Sequence, residues 1–586
     1  DLESPAPMSF DPHHILAPDG PIARRLGDRF EHRAEQIRMI DAVDRALSRR
    51  QTLLVEAGTG VGKSFGYLLP AIKRLLAAKE QTSEGQKRCV VISTHTIALQ
   101  EQLIQKDIPL LQAVLPHEFT AVLVKGRGNY ISLRRYERAW ERQDQLFSDP
   151  AEVATLETVN GWVKATQDGS LATLPMMKKP SVWRNVQSDA EDCLGRRCRT
   201  FQKCHYQSAR RRMEHADLLV VNHALFFADL QLRAEGYGLL PSYQDVILDE
   251  AHNIEDVAGN HFGLSLSRFQ VVLLLSSLYR PPGKGLLIAL ANKTKGDTAV
   301  HHRAMQAVSN VGYVATEWFD ALADWQETHG RANGRIDRPG VVENVLGPAL
   351  QGLSVALKGV RTNTKDPDDR LELNGYIRRT DDLCRVLSAL IGQEISDCVY
   401  WIEVSRSGRR PRVRLTCSPI DVGPLLKARL FHPNEDEGDP LGVVLTSATL
   451  ATRTRSEAGG GGGDPFAHLK RRLGCEDAQT MLLGSPYDYV QQAELIIHAD
   501  LPEPNDKQFV TQMCPRILTH LEHTAGGTFV LFTSYRLLRQ VAEWLGPQLL
   551  ERGMPMLVQG DGEQRSTLLE RFRGDRHSVL LGTDSF

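Results

Sequence analysis

The sequence predicts an α/β protein built on parallel sheets, and three observations carry that prediction. An apolar run, Leu53-Leu54-Val55, passes through a glycine-rich loop into the helix-like stretch FGYLLPAIKRLL. Further apolar runs of strand length, at 88–94, 120–124, 216–221 and 245–249, alternate with helical patterns, the order of a parallel nucleotide-binding sheet. After the glycine run 459–463, read as a flexible linker, a second α/β pattern begins, with strands at 495–497, 528–532 and 579–582.

Length and composition bound the rest. A chain of 586 residues holds several domains, because one core rarely grows beyond about 250–300 residues. Hydrophobic content of 41% and charged content of 24% fit a globular protein. No apolar run approaches the roughly 18 residues that a membrane helix needs. The opening DLESPAPMSFDPHH has no basic-then-apolar secretory order, so a cytoplasmic protein with no membrane partner is expected. Nine cysteines in so long a chain suit a reducing compartment. The net charge of −2 supplies no global attraction for nucleic acid, so any such binding rests on local patches.

Taken in order, residues 30–47 form an amphipathic helix just ahead of the first strand, placing Arg33 and Gln36 where an adenine is read. A glutamine amide offers one donor and one acceptor for that purpose; a plain surface helix has the same spacing. The loop that follows carries Gly58, Thr59, Gly60, Gly62, Lys63 and Ser64. Its first position is Ala57 where the strict phosphate-loop pattern has glycine. Glycines let backbone N–H groups close on phosphates at a helix N-terminus, a lysine reaches the β and γ phosphates, and a serine hydroxyl ligates Mg²⁺. The strand at 88–94 ends in Thr94, His95 and Thr96, hydroxyls that suit phosphate contacts or, for Thr96, a helix cap. The strand at 120–124 leaves through Lys125-Gly126-Arg127-Gly128-Asn129-Tyr130, and Cys193, Cys198 and Cys204 follow in a basic context. The strand at 245–249 ends in Asp249-Glu250-Ala251-His252. Residues 255–397 read as mainly helical, 399–403 and 412–416 as a strand pair, and 442–450 (GVVLTSATL) as a strand ending in small hydroxyl residues.

The chemistry of these stretches converges on phosphoryl transfer. A carboxylate at a strand end, Asp249, holds Mg²⁺, and the adjacent Glu250 orients and deprotonates the attacking water. With Lys63 as clamp, the metal, the phosphate cradle and the positioned water are all supplied.

Gln36, the Lys63 loop, Thr94-His95-Thr96, Asp249-Glu250-Ala251-His252, Ser447-Ala448-Thr449 and the segment 580–586 stand in the order of superfamily 2 helicase motifs. With the inserted cysteines and the segments VKGRGNY, VVNHALFFADL, DEAHN and VLTSATL, nearly the whole chain resembles the XPD/DinG group of iron–sulfur DNA helicases, nearest the bacterial DinG proteins. That resemblance implies two recombinase-like P-loop motor domains, the second incomplete, with an inserted cysteine-containing domain and a helical arch domain. By position, motor domain 1 occupies 1–126, 206–262 and 421–455, the iron–sulfur-like insertion 127–205, the arch 263–420, and motor domain 2 residues 456–586. The resemblance implies ATP, Mg²⁺ and an iron–sulfur cluster as cofactors, and 5′-to-3′ movement on single-stranded and forked DNA in repair or replication, by a monomer. RNA remains an alternative track, because backbone contacts read both. Gln36 would read adenine, and Lys63, Asp249, Glu250 and His252 would serve hydrolysis. Thr94, His95, Thr96, Arg127, Tyr130, Ser447, Thr449, Ser534 and Asp584 would contact DNA or couple it to the nucleotide. The basic and aromatic residues Lys125, Arg127, Arg134, Arg135, Arg196, Arg197, Arg199, Arg210, Arg211 and Arg212, with Tyr130, Tyr136, Phe201 and Tyr206, suggest a single-strand path.

Two departures qualify the resemblance. Ser132 occupies the place of the first cluster cysteine, leaving three thiolates where a cubane has four; zinc, with His205 as a fourth ligand, is the competing use of the same cysteines. The family's final motif, with a glutamine and two arginines, does not follow the GTDSF segment, so this chain is expected to bind ATP and DNA but to hydrolyse slowly. A competing reading is a nucleic-acid-binding protein whose nucleotide site is regulatory or weakly hydrolysing. The complete Asp249-Glu250 pair argues against it, since a dormant site has no use for a base. An exonuclease of the same group is also set aside, because about fifty residues precede the phosphate loop.

Overall fold

A computed structural model describes residues 10–81, 88–294, 298–406, 410–432, 440–452, 464–563 and 565–583; the expected linker at 459–463 and Asp584 lie outside these. Five strands come first: β1 (Thr52–Ala57), β2 (Val90–Thr94), β3 (Ala121–Leu123), β4 (Leu218–Asn222) and β5 (Asp245–Asp249). Four more, β6 (Leu264–Ser267), β7 (Arg335–Ile336), β8 (Cys398–Ser405) and β9 (Arg412–Pro419), interrupt the series before β10 (Gly442–Ser447) and β11 (Gln479–Leu483). The seven outer members of this set form one parallel sheet in the order β11-β1-β10-β5-β2-β4-β3.

Side chains of this sheet alternate between two cores. Leu53, Val55, Val90 and Ile92 face the helices Ala34–Ser48 and Lys63–Gln81, while Leu54, Val91, Val246 and Leu248 face His223–Arg233 and Ile254–Phe262. Strands covered on both faces need continuous apolar runs, which is why β2, β5 and β10 are buried end to end. In this register the carboxyl ends of β1, β10, β5 and β2 lie side by side, with Glu56 opposite Ser447 and Thr446 opposite Asp249. Ligands of open parallel sheets bind at such an edge.

The middle of the chain builds its own core. β6, β9, β8 and β7 form an antiparallel sheet against the helices Ala299–His329, Leu346–Asn363 and Pro367–Gly392. The strand pair expected at 399–403 and 412–416 is present and longer. Residues 131–186 enclose a smaller apolar core around Trp162, Trp183 and Phe147.

Two compact units divide between Tyr487 and Asp488. The boundary expected at 455/456 is therefore too early: β11 pairs with β1 and belongs to the first sheet, because its register offers β1 a second parallel neighbour. The second unit holds β12 (Thr528–Phe532), β13 (Met556–Val558) and β14 (Val579–Thr583), parallel in the order β12-β14-β13. The strand expected at 495–497 is not formed; Leu495, Ile496 and Ile497 are exposed, and no described strand pairs with them to satisfy a ladder.

Among the described residues, no helix is long and apolar enough to cross a membrane.

Candidate nucleotide site

The phosphate loop leaves β1 at its carboxyl end and enters the Lys63–Gln81 helix at Lys63. Gly60 and Gly62 adopt φ of 87° and 84°, a region that L side chains avoid. A Cβ on Gly60 would stand 2.4 Å from the Tyr487 ring, and one on Gly62 2.0 Å from Gln36 Nε2. Gly58 is not under that constraint, with ordinary contact distance around an added Cβ. Thr59 is exposed at the loop tip. Gln36 is buried, and its amide donates to the Gly62 carbonyl at 2.8 Å, so this side chain braces the loop. Arg33 stands at the N-cap of the same helix and pairs with Glu31.

Lys63 Nζ donates to the Ala57 carbonyl at 3.2 Å and lies close enough to stabilise the charge on Asp249. The acidic pair and the loop lysine thus share one sheet edge. Asp249 is buried, and burial followed by the neighbouring Glu250 pushes its carboxyl up to about 6. Tyr67, fully buried on the loop's helix, donates to Asp249 Oδ2 at 2.9 Å, and the Glu250 N–H donates to Asp249 Oδ1 at 2.9 Å. Glu250 takes a left-handed conformation, φ 55°, uncommon for a residue with a Cβ. That bend turns its carboxylate toward Ser447, whose hydroxyl donates to Glu250 Oε2 at 3.4 Å. His252 Nδ1 lies 2.7 Å from the same hydroxyl. The end of β10 is thereby tied to the acidic pair, while Thr449 is exposed two residues on.

The hydroxyls after β2 divide their roles. Thr94 is buried and donates to the Thr96 carbonyl at 3.4 Å; Thr96 caps the next helix, accepting from the Leu99 N–H at 3.3 Å; His95 is exposed. In the second unit, Ser534 is exposed after β12 and caps the Tyr535–Glu551 helix.

Two functional residues escaped the sequence reading. Glu56 accepts from the N–H groups of Leu450 and Ala451 at 2.5 and 2.6 Å, fixing the loop after β10; a carboxylate inside a strand carries no motif. His223, within VVNHALFF, is buried, with Nδ1 2.7 Å from Ser93 Oγ and its ring 6.0 Å from that of His95. Burial, then His95, lowers its pKa to about 3. The folded protein therefore keeps His223 neutral while the unfolded chain protonates near 6.5, so this contribution to stability is full above pH 6.5 and falls as pH drops toward 3. At pH 5 the loss is about 2 kcal/mol. Opening free energies of the His223–Arg233 helix from hydrogen exchange at pH 7 and pH 5 should show a correspondingly flatter pH dependence for His223→Asn than for the parent.

The expected cysteine site fares differently. Ser132 caps the Leu133–Glu141 helix, its Oγ accepting from the Arg135 N–H at 3.4 Å. Arg127 donates to the Asp189 carbonyl at 3.1 Å and to Cys193 Sγ at 3.8 Å, with its guanidinium 4.1 Å from the Tyr206 ring centre. Cys193, Cys198 and Cys204 are free thiols, and among the described residues no three His, Cys, Asp or Glu side chains stand together as a metal-ligand set. The residues present fit neither a four-thiolate cluster nor a zinc site completed by His205.

The expected DNA path is also partly internal. Tyr130 is only 5% exposed and cannot offer a face to a base. Arg134 and Arg135 are buried and paired with Asp192, because they lie on the inner face of their helix. Arg196, Arg197, Arg199, Lys203, Arg210, Arg211 and Arg212 are exposed.

Comparisons with known proteins agree along the chain. A DEAD/DEAH box helicase model matches residues 34–138, the DEAD_2 model residues 173–271, and a helicase C-terminal domain model residues 517–586. The ATP-dependent DNA helicase YoaA of Haemophilus influenzae is 30% identical over 578 residues, covering 98% of this chain and 81% of the relative. YoaA of Escherichia coli K12 is 30% identical, covering 97% and 81%. The ATP-dependent DNA helicase DinG of Photobacterium profundum is 27% identical, covering 95% and 82%. An XPD helicase structure aligns over 94% of this chain and 80% of its own, at 16% identity and a TM-score of 0.47.

Proposed function

The chain belongs to the YoaA/DinG family of ATP-dependent DNA helicases, and from that premise we propose a motor that hydrolyses ATP to move 5′ to 3′ on single-stranded DNA. Its work would be the opening of forked duplexes in repair or replication, as a monomer in the bacterial cytosol. The observation that carries the nucleotide part is the Tyr67–Asp249 hydrogen bond of 2.9 Å, which joins the helix of the phosphate loop to the acidic pair.

Ser64 and Asp249 would hold Mg²⁺, which when bound neutralises charge on the β and γ phosphates. Lys63 exchanges its contact with the Ala57 carbonyl for phosphate oxygens. Loop N–H groups from Gly58 to Gly62, Thr59 included, close around the phosphates. Gln36 and Arg33 flank the base end. Glu250 takes the proton of the attacking water, held in place by its left-handed backbone and by Ser447. His252 and Ser447 link this carboxylate to β10; Thr449, His95 and Thr96, exposed at neighbouring strand ends, would face the polynucleotide, with the buried Thr94 bracing the Thr96 carbonyl. Exposed Arg196, Arg197, Lys203 and Arg211 would contact DNA phosphates, and the exposed Ser534 hydroxyl of the second unit would suit the same purpose there. ATP and Mg²⁺ are the cofactors of this reading; no step passes through an iron–sulfur cluster, because Ser132 replaces one thiolate and Cys193, Cys198 and Cys204 form no ligand set among the described residues. We assign 127–205 to the cysteine-containing insertion, 263–420 to the arch, and the parallel sheet to motor domain 1.

Duplexes with a single 5′ tail, a single 3′ tail or a fork, supplied with ATP and Mg²⁺, test the proposal. Separation of the 5′-tailed and forked substrates only supports it. Equal separation of the 3′-tailed duplex removes the direction, and no DNA-stimulated hydrolysis removes the motor.

A further inference from the structure

Glu56 stands near the carboxyl end of β1, directly ahead of Ala57 and the phosphate loop. In the parallel register its neighbour on β10 is Ser447. The Glu56 side chain is half-buried, and among the described residues no lysine, arginine or histidine pairs with it. It meets backbone instead. One oxygen, Oε2, accepts from the N–H groups of Leu450 and Ala451 at 2.5 and 2.6 Å. Successive N–H groups turned toward one anion form a nest, and hydrogen bonds to a charged acceptor are short and strong.

The loop held in this way is short and is fastened at both ends. At its start, the Ser447 hydroxyl donates to Glu250 Oε2 at 3.4 Å and lies 2.7 Å from His252 Nδ1. At its far end, Leu450 is buried in the core with Leu54, Leu248 and Phe466. Beyond it, the Thr452 N–H and hydroxyl donate to the Pro465 carbonyl at 2.9 and 3.1 Å. Between the two ends stand Ala448 and Thr449, and Thr449 is exposed. Two carboxylates at the nucleotide edge of the sheet therefore hold one exposed threonine: Glu250 through Ser447, and Glu56 through the Leu450 and Ala451 N–H groups. A shift of Thr449 that turns either of those peptides breaks a bond to Glu56. It leaves a half-buried carboxylate and its donors unsatisfied, which is costly. A contact at Thr449 thus bears on the residue ahead of the phosphate loop in one direction and on Glu250 in the other.

We propose that Glu56 is a positioning residue that couples the polynucleotide to the nucleotide: by holding the Leu450 and Ala451 N–H groups, it fixes the exposed Thr449 relative to the phosphate loop and to Glu250. The inference rests on the reading of the loop after β10 as a DNA-facing element. Glu56 touches neither ligand and acts through that loop. Alanine in its place leaves both N–H groups without their acceptor, whereas glutamine keeps an acceptor oxygen at the same reach but not its charge.

The test is binding of a fluorescent, non-hydrolysable ATP analogue to the full chain with Mg²⁺, first without DNA and then with saturating single-stranded oligodeoxythymidylate. The ratio of the two affinities is the coupling, and by linkage it is also the factor by which the analogue changes the affinity for DNA. Glu56→Ala should reduce this ratio toward one by about 2–30-fold, the range over which residues between two sites alter their coupling, with the DNA-free affinity unchanged. Glu56→Gln, isosteric and therefore the variant expected to fold in any case, should lie between Glu56→Ala and the parent. An equal loss of analogue affinity with and without DNA overturns the inference, since it marks a residue that supports the phosphate loop alone. If Thr449→Ala shifts the ratio and neither Glu56→Ala nor Glu56→Gln does, the loop faces DNA without Glu56 and the inference is again overturned. If the parent shows a ratio of one, or Thr449→Ala changes neither the ratio nor the affinity for DNA, the DNA-facing reading of the loop fails and takes the inference with it.

Discussion

Glu250→Gln should lower DNA-stimulated ATP turnover by about 10²–10⁴-fold, the usual contribution of a general base, while ATP binding is kept. The substitution preserves shape and hydrogen-bonding reach but removes the proton acceptor. The geometry around Glu250 makes the separation of the two effects possible. Its N–H is already committed to Asp249 Oδ1 at 2.9 Å, so the backbone that presents the side chain is anchored independently of the carboxylate. The left-handed turn at φ 55° is likewise a backbone property, and it survives a change from carboxylate to amide. Phosphate release measured with saturating single-stranded DNA reads the turnover, and titration with a fluorescent ATP analogue reads the binding. A parallel loss of both would assign Glu250 to the binding of nucleotide rather than to the chemical step. Ser447→Ala and His252→Ala remove only the groups that orient Glu250, and should reduce turnover by less.

The second large effect is expected far from the nucleotide. Arg138 and Arg142, one turn apart on the Leu133–Glu141 helix and its C-cap, are buried and converge on Asp369 of the Pro367–Gly392 helix. Arg142 meets Asp369 Oδ1 at 2.5 Å, Arg138 contacts the same oxygen, and Glu372 lies 3.1 and 3.7 Å from the two guanidiniums. Burial raises the Glu372 carboxyl, and Arg138 and Arg142 outweigh it, leaving Glu372 below its ordinary range. Arg142 is lowered by burial and by Arg138 beside it. Asp369→Ala strands two buried cations beside one remaining carboxylate and should destabilise this contact by about 3–5 kcal/mol. Hydrogen exchange of the Pro367–Gly392 helix is the measurement, because a chain of several domains has no single unfolding free energy. Replacing Arg138, Arg142, Asp369 and Glu372 together by apolar residues of similar volume should cost far less than Asp369→Ala alone, since no buried charge of this cluster is then left unpaired. Equal losses in the two variants would show that packing, not charge pairing, holds the two elements together.

These charges mark the limit of what residue order discloses. Arg134 and Arg135 look like a basic patch in the sequence, and an exposed basic patch near aromatic residues is a reasonable nucleic-acid path. Their carboxylate partners, however, are Asp189 and Asp192, and only packing shows the guanidiniums turned inward. Tyr130 was misread for the same reason. The cysteines illustrate the converse: their spacing suggests a ligand set, yet shared ligation needs three or four side chains at one point, and the described residues do not bring them there. Ser132 could be identified in advance as a poor iron ligand, but not as a helix cap.

What the sequence by itself determined is the phosphate cradle, the acidic pair and the alternation of strands and helices around them. Each is encoded in a short contiguous stretch, because a strand, a tight loop with φ above zero and a helix start are set by local sterics and by an apolar run of the right length. Tertiary structure alone decided that β11 joins the first sheet, that Glu56 anchors the loop after β10, and that Arg138 meets a carboxylate 231 residues away. A charge or a hydroxyl has no fixed role along the chain; its role follows from burial and from which partner arrives within about 3 Å, and both are properties of the packed molecule.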